Sequence, residues 1–165
     1  MSKIIIDKKN RWHFWKSGDL HLEEGVIKEK ELKRKCSKVS THLGKILKKF
    51  DSKFPDDIKS LRRGPAIINP KDIGTIISNT GINSKSKIVD AGAGSGFLAG
   101  YLSNITDNLT TYEKNRNHYI IAKKNLQKIN PNVKIKNKDI SEGISEKNLD
   151  IITLDLPNPE EVLPH

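Results

Sequence analysis

Cysteine is almost absent: Cys36 stands alone in 165 residues. That excludes a disulfide framework and any cysteine-based metal or iron–sulfur centre. No apolar run approaches transmembrane length, and the N-terminus lacks the short apolar core of a signal peptide. The expectation is a soluble protein of a reducing, cytoplasmic compartment, without a membrane partner. Aromatic residues make up only 5%, and hydrophobic residues 35% against 30% charged. That is low but enough for one full domain or two small ones. The five histidines (His13, His21, His42, His118, His165) show no paired ligand spacing, so no metal site is expected.

What the chain does hold is positive charge, and it is unevenly placed. Residues 1–82 carry 19 Lys and Arg against 10 Asp and Glu, whereas residues 83–165 carry 11 against 10. Such asymmetry points to a polyanion-binding region joined to a near-neutral catalytic one. Lys28 to Lys49 alone contains nine basic residues and two acids, without a clean helical stripe. It reads either as a solvated charged face or as a phosphate-binding stretch with marked salt dependence.

Lys3–Ile6, a polar turn and Arg11–Lys16 read as a β-hairpin. Strand alternation sets Trp12 and Phe14 on one face, His13 and Trp15 on the other. One of these faces is core, or the aromatics form a base-stacking platform flanked by Arg11 and Lys16. Asp19–Ile27 reads as short strand with a turn at Gly25, and Pro55-Asp56-Asp57 as a helix start. Further on, Asn69 is the expected N-cap of a helix Pro70–Asn79, with Pro70 at its first position and Gly81 as its stop.

The following stretch carries the chemistry. Ile88-Val89 reads as a buried strand ending on Asp90, and Gly92, Gly94 and Gly96 then lead into the apolar helical run Phe97, Leu98, Ala99, Tyr101, Leu102. Glycines allow a tight turn and close ligand approach, and a helix N-terminus offers unpaired N–H groups. Gly94-Ser95-Gly96-Phe97-Leu98-Ala99 fits the dinucleotide pattern G-x-G-x-x-A. Asp90 argues against it, since a carboxylate at the strand tip repels a pyrophosphate and favours a cationic cofactor. S-adenosylmethionine, with its ammonium and sulfonium, is such a cofactor. Glu113 follows a second strand, Leu109–Tyr112, 23 residues beyond Asp90, where a ribose-binding acid sits in such units. Taken alone, the loop is equally compatible with a glycine-rich turn that holds no ligand.

Strands and helices then alternate: strand 86–90, helix 95–104, strand 109–112, helix 115–129, strand 133–136, a short helix around 141–146, strand 149–154. This pattern predicts an α/β fold with a doubly wound, parallel, Rossmann-like sheet of about four strands behind a small β-rich N-terminal domain. The expected boundaries are 1–54 for the basic β-rich domain, 55–82 for a connecting helical segment and 83–165 for the cofactor domain. Asp139 falls past the third strand, on the same carboxyl-end rim as Asp90 and Glu113, where it serves either as an adenine acceptor or as a plain N-cap. Asp155-Leu156-Pro157-Asn158-Pro159 ends the fourth strand. Its two prolines stiffen the rim that carries Asp155. A carboxylate there suits methylation of a nucleobase nitrogen, because positive charge grows on the base as the nitrogen attacks.

Together, Arg63-Gly64-Pro65 with Pro70-Lys71-Asp72, Asp90 to Gly96, Tyr112-Glu113, Lys138-Asp139-Ile140 and Asp155 to Pro159 resemble the tRNA (adenine-N1) methyltransferases of the T-loop, especially the archaeal branch. The resemblance runs from about Arg62 onward. It implies that Asp90, Gly92, Gly94, Ser95, Gly96, Phe97, Glu113, Asp139 and Asp155 hold S-adenosylmethionine, and that Asp155 is the catalytic residue. The implied substrate is adenine 58 of tRNA, with 57 as a further target. The implied assembly is a homo-oligomer, a tetramer in the family, or a partner supplying the C-terminal strands that this sequence lacks. Ala66 and Asn69 stand where many members have Gln and Tyr. A non-catalytic RNA- or cofactor-binding subunit completed by a partner is the alternative, whereas a nicotinamide-dependent dehydrogenase finds no hydride-site residues.

Overall fold

The computed structural model describes residues 2–64 and 67–162; Pro65, Ala66 and His165, named above, lie outside them. The chain forms two compact units, residues 1–60 and 61–165, so the segment expected to connect the domains is divided between them.

In the first unit, β1 (Lys3–Ile6) and β2 (Trp12–Trp15) form the expected hairpin. Asp7 holds its turn by accepting the backbone N–H groups of Lys9 and Arg11, both at 2.8 Å. A second hairpin joins β3 (Leu20–Leu22) to β4 (Gly25–Ile27). Gly25 opens β4, and the turn itself falls on Glu23 and Glu24. The basic stretch then becomes a short helix, α1 (Glu29–Lys33), and two strands, β5 (Lys38–Ser40) and β6 (Ile46–Asp51). Helix α2 (Phe54–Lys59) begins where Pro55 and the two acids place it.

β2–β1–β6–β5 is one antiparallel sheet. Alternation along β6 buries Leu47 and Lys49 and exposes Ile46, Lys48 and Phe50. The buried face meets Ile5, Trp15, Ile27, Leu32, Val39 and Leu47 in one core. Trp15 therefore belongs to the core face of β2, while Trp12 and Phe14 stay exposed.

Lys49 is a cation in that core. Its Nζ donates to the carbonyls of Leu32 at 3.0 Å and Arg34 at 2.5 Å, with that of Glu31 at 3.4 Å. These lie at the C-terminal end of α1, where carbonyls lack helical partners and the dipole is negative. The buried charge is thus compensated.

In the second unit, Asn69 caps α3 (Pro70–Thr80) by accepting the Lys71 N–H at 3.0 Å, and Gly81 ends it in the left-handed region. Then come β7 (Ile88–Ala91), α4 (Phe97–Leu102), β8 (Leu109–Tyr112), α5 (Arg116–Ile129), β9 (Lys134–Lys136) and β10 (Ile151–Leu154). The helix expected near 141–146 is only a 3₁₀ turn, Ile140–Glu142. Asp139 caps it and Gly143, at φ 87°, stops it after three residues.

The four strands form a parallel sheet in the order β10–β7–β8–β9. Ile88, Leu102, Leu109 and Leu126 pack in one core with Ile73 of α3, whereas Val89, Ala91, Tyr112 and Ile140 pack in another. Alternate residues of β7 enter different cores, so the sheet is covered on both faces, as the continuous burial of β7 and β8 requires. Among the described residues, no helix is long and apolar enough to cross a membrane.

Lys49→Met keeps the aliphatic stem but removes the charged donor. The substitution is expected to lower stability by roughly 1.5–3 kcal/mol. The reading is a lower urea midpoint at an unchanged m value; an unchanged midpoint would show that the cap contributes nothing.

Candidate active site

At the carboxyl ends of the parallel strands lies a cavity of about 690 Å³. Its floor is the glycine loop that leaves β7. Gly92 sits at φ 86°, and a Cβ placed on it would come within 2.2 Å of the Asp155 carbonyl oxygen. Only glycine serves at that position, on both conformational and steric grounds. The Asp155 N–H in turn donates to the Ala91 carbonyl at 2.9 Å, extending the β7–β10 ladder. Strand pairing alone therefore sets the Asp155 rim directly against the loop.

The carboxylates predicted from sequence fall into two groups. Asp90 is enclosed: register puts it between Thr111 of β8 and Thr153 of β10. Their hydroxyls donate to its two oxygens at 2.6 and 2.7 Å. Burial pushes this carboxyl above its usual range against the pull of the two threonine hydroxyls, and the charges of Asp155 and Glu113 add to the rise. Asp90 is not among the residues lining the cavity. Its place is beneath the loop, tying three strand ends together.

Glu113, Asp139 and Asp155 do line the cavity. Glu113 accepts the Gly94 N–H at 2.8 Å on one oxygen and the Asn115 N–H at 2.9 Å on the other. This fixes its head against the glycine loop and leaves it further acceptor capacity. Asp139 accepts the Ser141 N–H and hydroxyl on one oxygen, at 3.1 and 2.9 Å. These bonds, with Lys114 3.6 Å from the other oxygen, hold the carboxyl below its ordinary range. Asp155 is exposed and its carboxylate has no hydrogen-bond or ion-pair partner among the described residues. Gly92, Gly94, Ser95 and Phe97 also line the space, while Gly96 stands behind it as the N-cap of α4.

Sequence reasoning missed three supports. Asn125, a fully buried polar residue on α5, accepts the Arg62 N–H at 3.0 Å and donates to the carbonyls of Arg62 and Ser95, both at 2.8 Å. The Gly64 N–H donates to Ser95 Oγ at 3.0 Å. Together these hold residues 62–64 to the glycine loop. An Asn on the same helical face as Ala122 and Leu126 was the available signal. Lys114 and Lys138 also line the cavity; Lys138 is committed to the carbonyls of Glu142 and Gly143 at 3.4 and 2.9 Å. Finally, the Tyr112 hydroxyl donates to Glu146 at 2.5 Å, and Lys136 bonds Glu146 at 2.6 Å and the Tyr112 oxygen at 3.0 Å. That triad anchors the loop carrying Asp139. Burial raises the Glu146 carboxyl, but Lys136 and Tyr112 outweigh it and bring it down to about 2.

A parallel sheet with a glycine loop after its first strand and acids along its carboxyl rim defines a class I methyltransferase-like domain. Comparison with known proteins agrees and goes further. Residues 59–165 match the family model described as the tRNA methyltransferase complex GCD14 subunit, and the chain belongs to that family. It is 28% identical to the tRNA (adenine(57)-N(1)/adenine(58)-N(1))-methyltransferase TrmI of Methanocaldococcus jannaschii, over 98% of this chain and 68% of that protein. It is 30% identical to the tRNA (adenine(58)-N(1))-methyltransferase catalytic subunit TRM61 of Candida albicans, over 64% of this chain and 34% of that protein. Among solved structures, a SAM-dependent O-methyltransferase from Thermotoga maritima superposes at TM-score 0.78 with 27% identity, over 99% of this chain and 65% of the other. The tRNA (m1A58) methyltransferase TrmI of Aquifex aeolicus superposes at 0.66 with 25% identity, over 90% and 61%. The chain thus spans about two thirds or less of the relatives' lengths.

Gly92→Ala combines a disfavoured φ with a clash against backbone, and is expected to destabilise the second unit by about 2 kcal/mol or more. Urea unfolding checks this, and full stability would contradict the close approach. Glu146→Gln is expected to cost roughly 1 kcal/mol at pH 7. Because the carboxyl titrates lower in the folded chain, its contribution is present above the ordinary carboxylate range and fades as pH falls toward 2. The stability gap between wild type and variant should therefore narrow as pH falls below about 4.5 and close only near 2; a gap independent of pH would contradict the ion pair.

Proposed function

We propose that this chain carries out S-adenosylmethionine-dependent methylation of N1 of adenine 58 in the T-loop of tRNA, with adenine 57 as a further target. One observation carries the reading: an exposed, uncommitted carboxylate, Asp155, is held by strand pairing against the glycine loop. The names of the archaeal, fungal and bacterial relatives support it, and the fungal protein's description as a catalytic subunit supports a partner chain.

The residues suit that cofactor. Glu113, immobilised by two N–H donors, keeps lone pairs for ribose hydroxyls. The second oxygen of Asp139, with Lys114 3.6 Å away, would accept the adenine amino group of that cofactor. Gly92, Gly94, Ser95 and Phe97 leave room beside them, and Gly96 and Asp90 fix the loop from below. S-adenosylmethionine supplies a methyl group on a cationic sulfur, which a rim of carboxylates favours. Asp155 then accepts a hydrogen bond from the exocyclic amino group of the target adenine. As N1 takes up the methyl carbon, the carbon–sulfur bond would break with its electron pair left on sulfur, giving S-adenosylhomocysteine; the ring becomes cationic, and a fixed carboxylate stabilises that charge more in the transition state than before it. The base must first leave its tertiary pairing, at a cost of a few kcal/mol. The excess of basic residues upstream supplies contacts to phosphate.

Asp155→Ala is expected to reduce methyl transfer to unmodified tRNA by about 10²-fold or more, with S-adenosylhomocysteine affinity changed only a few-fold in calorimetry. Retained transfer would remove Asp155 from the mechanism. Mapping the product should place N1-methyladenosine at position 58.

A further inference from the structure

The N-terminal sheet presents a face that the active site does not use. Strand register sets Phe14, Ile4 and Phe50 in one row across β2, β1 and β6, and Trp12, Ile6, Lys48 and Lys38 in the next row across all four strands. Trp12 is 50% exposed, Phe50 47% and Phe14 37%. Three of the chain's nine Phe, Trp and Tyr residues are therefore spent on one exposed face. The rows lie about 7 Å apart and the strands about 5 Å apart. Phe14 and Phe50 thus flank Ile4 across roughly 10 Å; Ile4 itself is buried, so the open surface of this row is the two phenylalanine rings.

Charge identifies the occupant. Lys38 and Lys48 are directly opposed on adjacent strands, an arrangement that is unfavourable without a counter-charge. Both are exposed, and neither has a carboxylate partner among the described residues. Lys16, just past β2, is likewise exposed. Arg11, which the sequence placed at the platform's flank, is instead committed to Asp7 and Glu23 at 2.6 and 2.9 Å. A second copy of the chain would bring lysines against lysines. A polyanion with flat apolar groups satisfies both features at once.

We propose that this face, built from Trp12, Phe14 and Phe50 with Lys38 and Lys48, binds unpaired nucleotides of an RNA strand. The bases stack on the aromatic rings and the lysines meet the phosphates. Stacking of this kind tolerates any base and is strongly salt-dependent. The proposal rests on the RNA-substrate reading above and extends it to a surface separate from the methyl-transfer residues.

The test uses the full chain with two probes, unmodified tRNA and a single-stranded oligoadenylate, over a range of salt. Trp12 and Trp15 are the only tryptophans. Trp15 is buried with its indole N–H on the Gly18 carbonyl at 2.6 Å, so it reports folding while Trp12 reports binding. Both RNAs are expected to quench Trp12. Measured by filter binding of labelled RNA, combined Trp12→Ala and Phe14→Ala should weaken both about tenfold or more, with Trp15 emission and S-adenosylhomocysteine affinity unchanged. Lys38→Gln with Lys48→Gln should flatten the salt slope by about 1–2. Undiminished RNA affinity in the aromatic variant overturns the platform and leaves the methyltransferase reading standing. Loss of self-association without loss of RNA affinity also overturns it, and makes the face a contact between copies. Quenching by oligoadenylate with no binding of tRNA supports the platform and removes tRNA as the substrate.

Discussion

The parallel pairing of β7 with β10 is the constraint on which the site depends. It runs from Ile88 opposite Ile151 to Ala91 opposite Leu154, and its last rung delivers the Asp155 N–H to the Ala91 carbonyl. The next residue along β7 is Gly92, which has no side chain to hold the rim away. Two stretches more than sixty residues apart are thus brought together by backbone hydrogen bonds, before any side chain is considered. Asp90 reinforces the arrangement from below by receiving a threonine hydroxyl from each neighbouring strand. A carboxylate so placed in the interior is expensive unless hydrogen-bonded, and here both of its oxygens are.

The electrostatics follow from that frame. Four acids, Glu113, Asp139, Asp155 and Glu161, line the cavity against two lysines. Lys138 donates to the Glu142 and Gly143 carbonyls and Lys114 stands 3.6 Å from Asp139, so both are engaged by neighbours. Glu113 and Asp139 are fixed by hydrogen bonds, whereas the exposed Asp155 carboxylate has no partner among the described residues. Like residues are in this way set apart by what else each one touches.

Much of this was legible in the sequence where the chemistry is local. Asn69 and Gly81 bound α3 because a side-chain acceptor and a left-handed glycine act within a few residues. The hairpin at Asp7 and the start of α2 at Pro55 follow for the same reason. What depended on distant partners was not legible. The sequence places Asp90 at a strand tip, yet only the register of β8 and β10 shows that Thr111 and Thr153 enclose it. Arg11 reads as a free cation until the β3–β4 turn brings Glu23 to it. The short helix after Asp139 fails because Gly143 ends it, and periodicity alone does not register that stop.

The central claim is that an acid-lined crevice over a glycine loop takes a cationic nucleoside in preference to a phosphate-bearing one. Parallel calorimetric titrations of the chain with S-adenosylmethionine and with NAD test it most directly. The account predicts saturable binding of S-adenosylmethionine and none of NAD at matched concentration. Tight NAD binding, or silence toward S-adenosylmethionine, would contradict it.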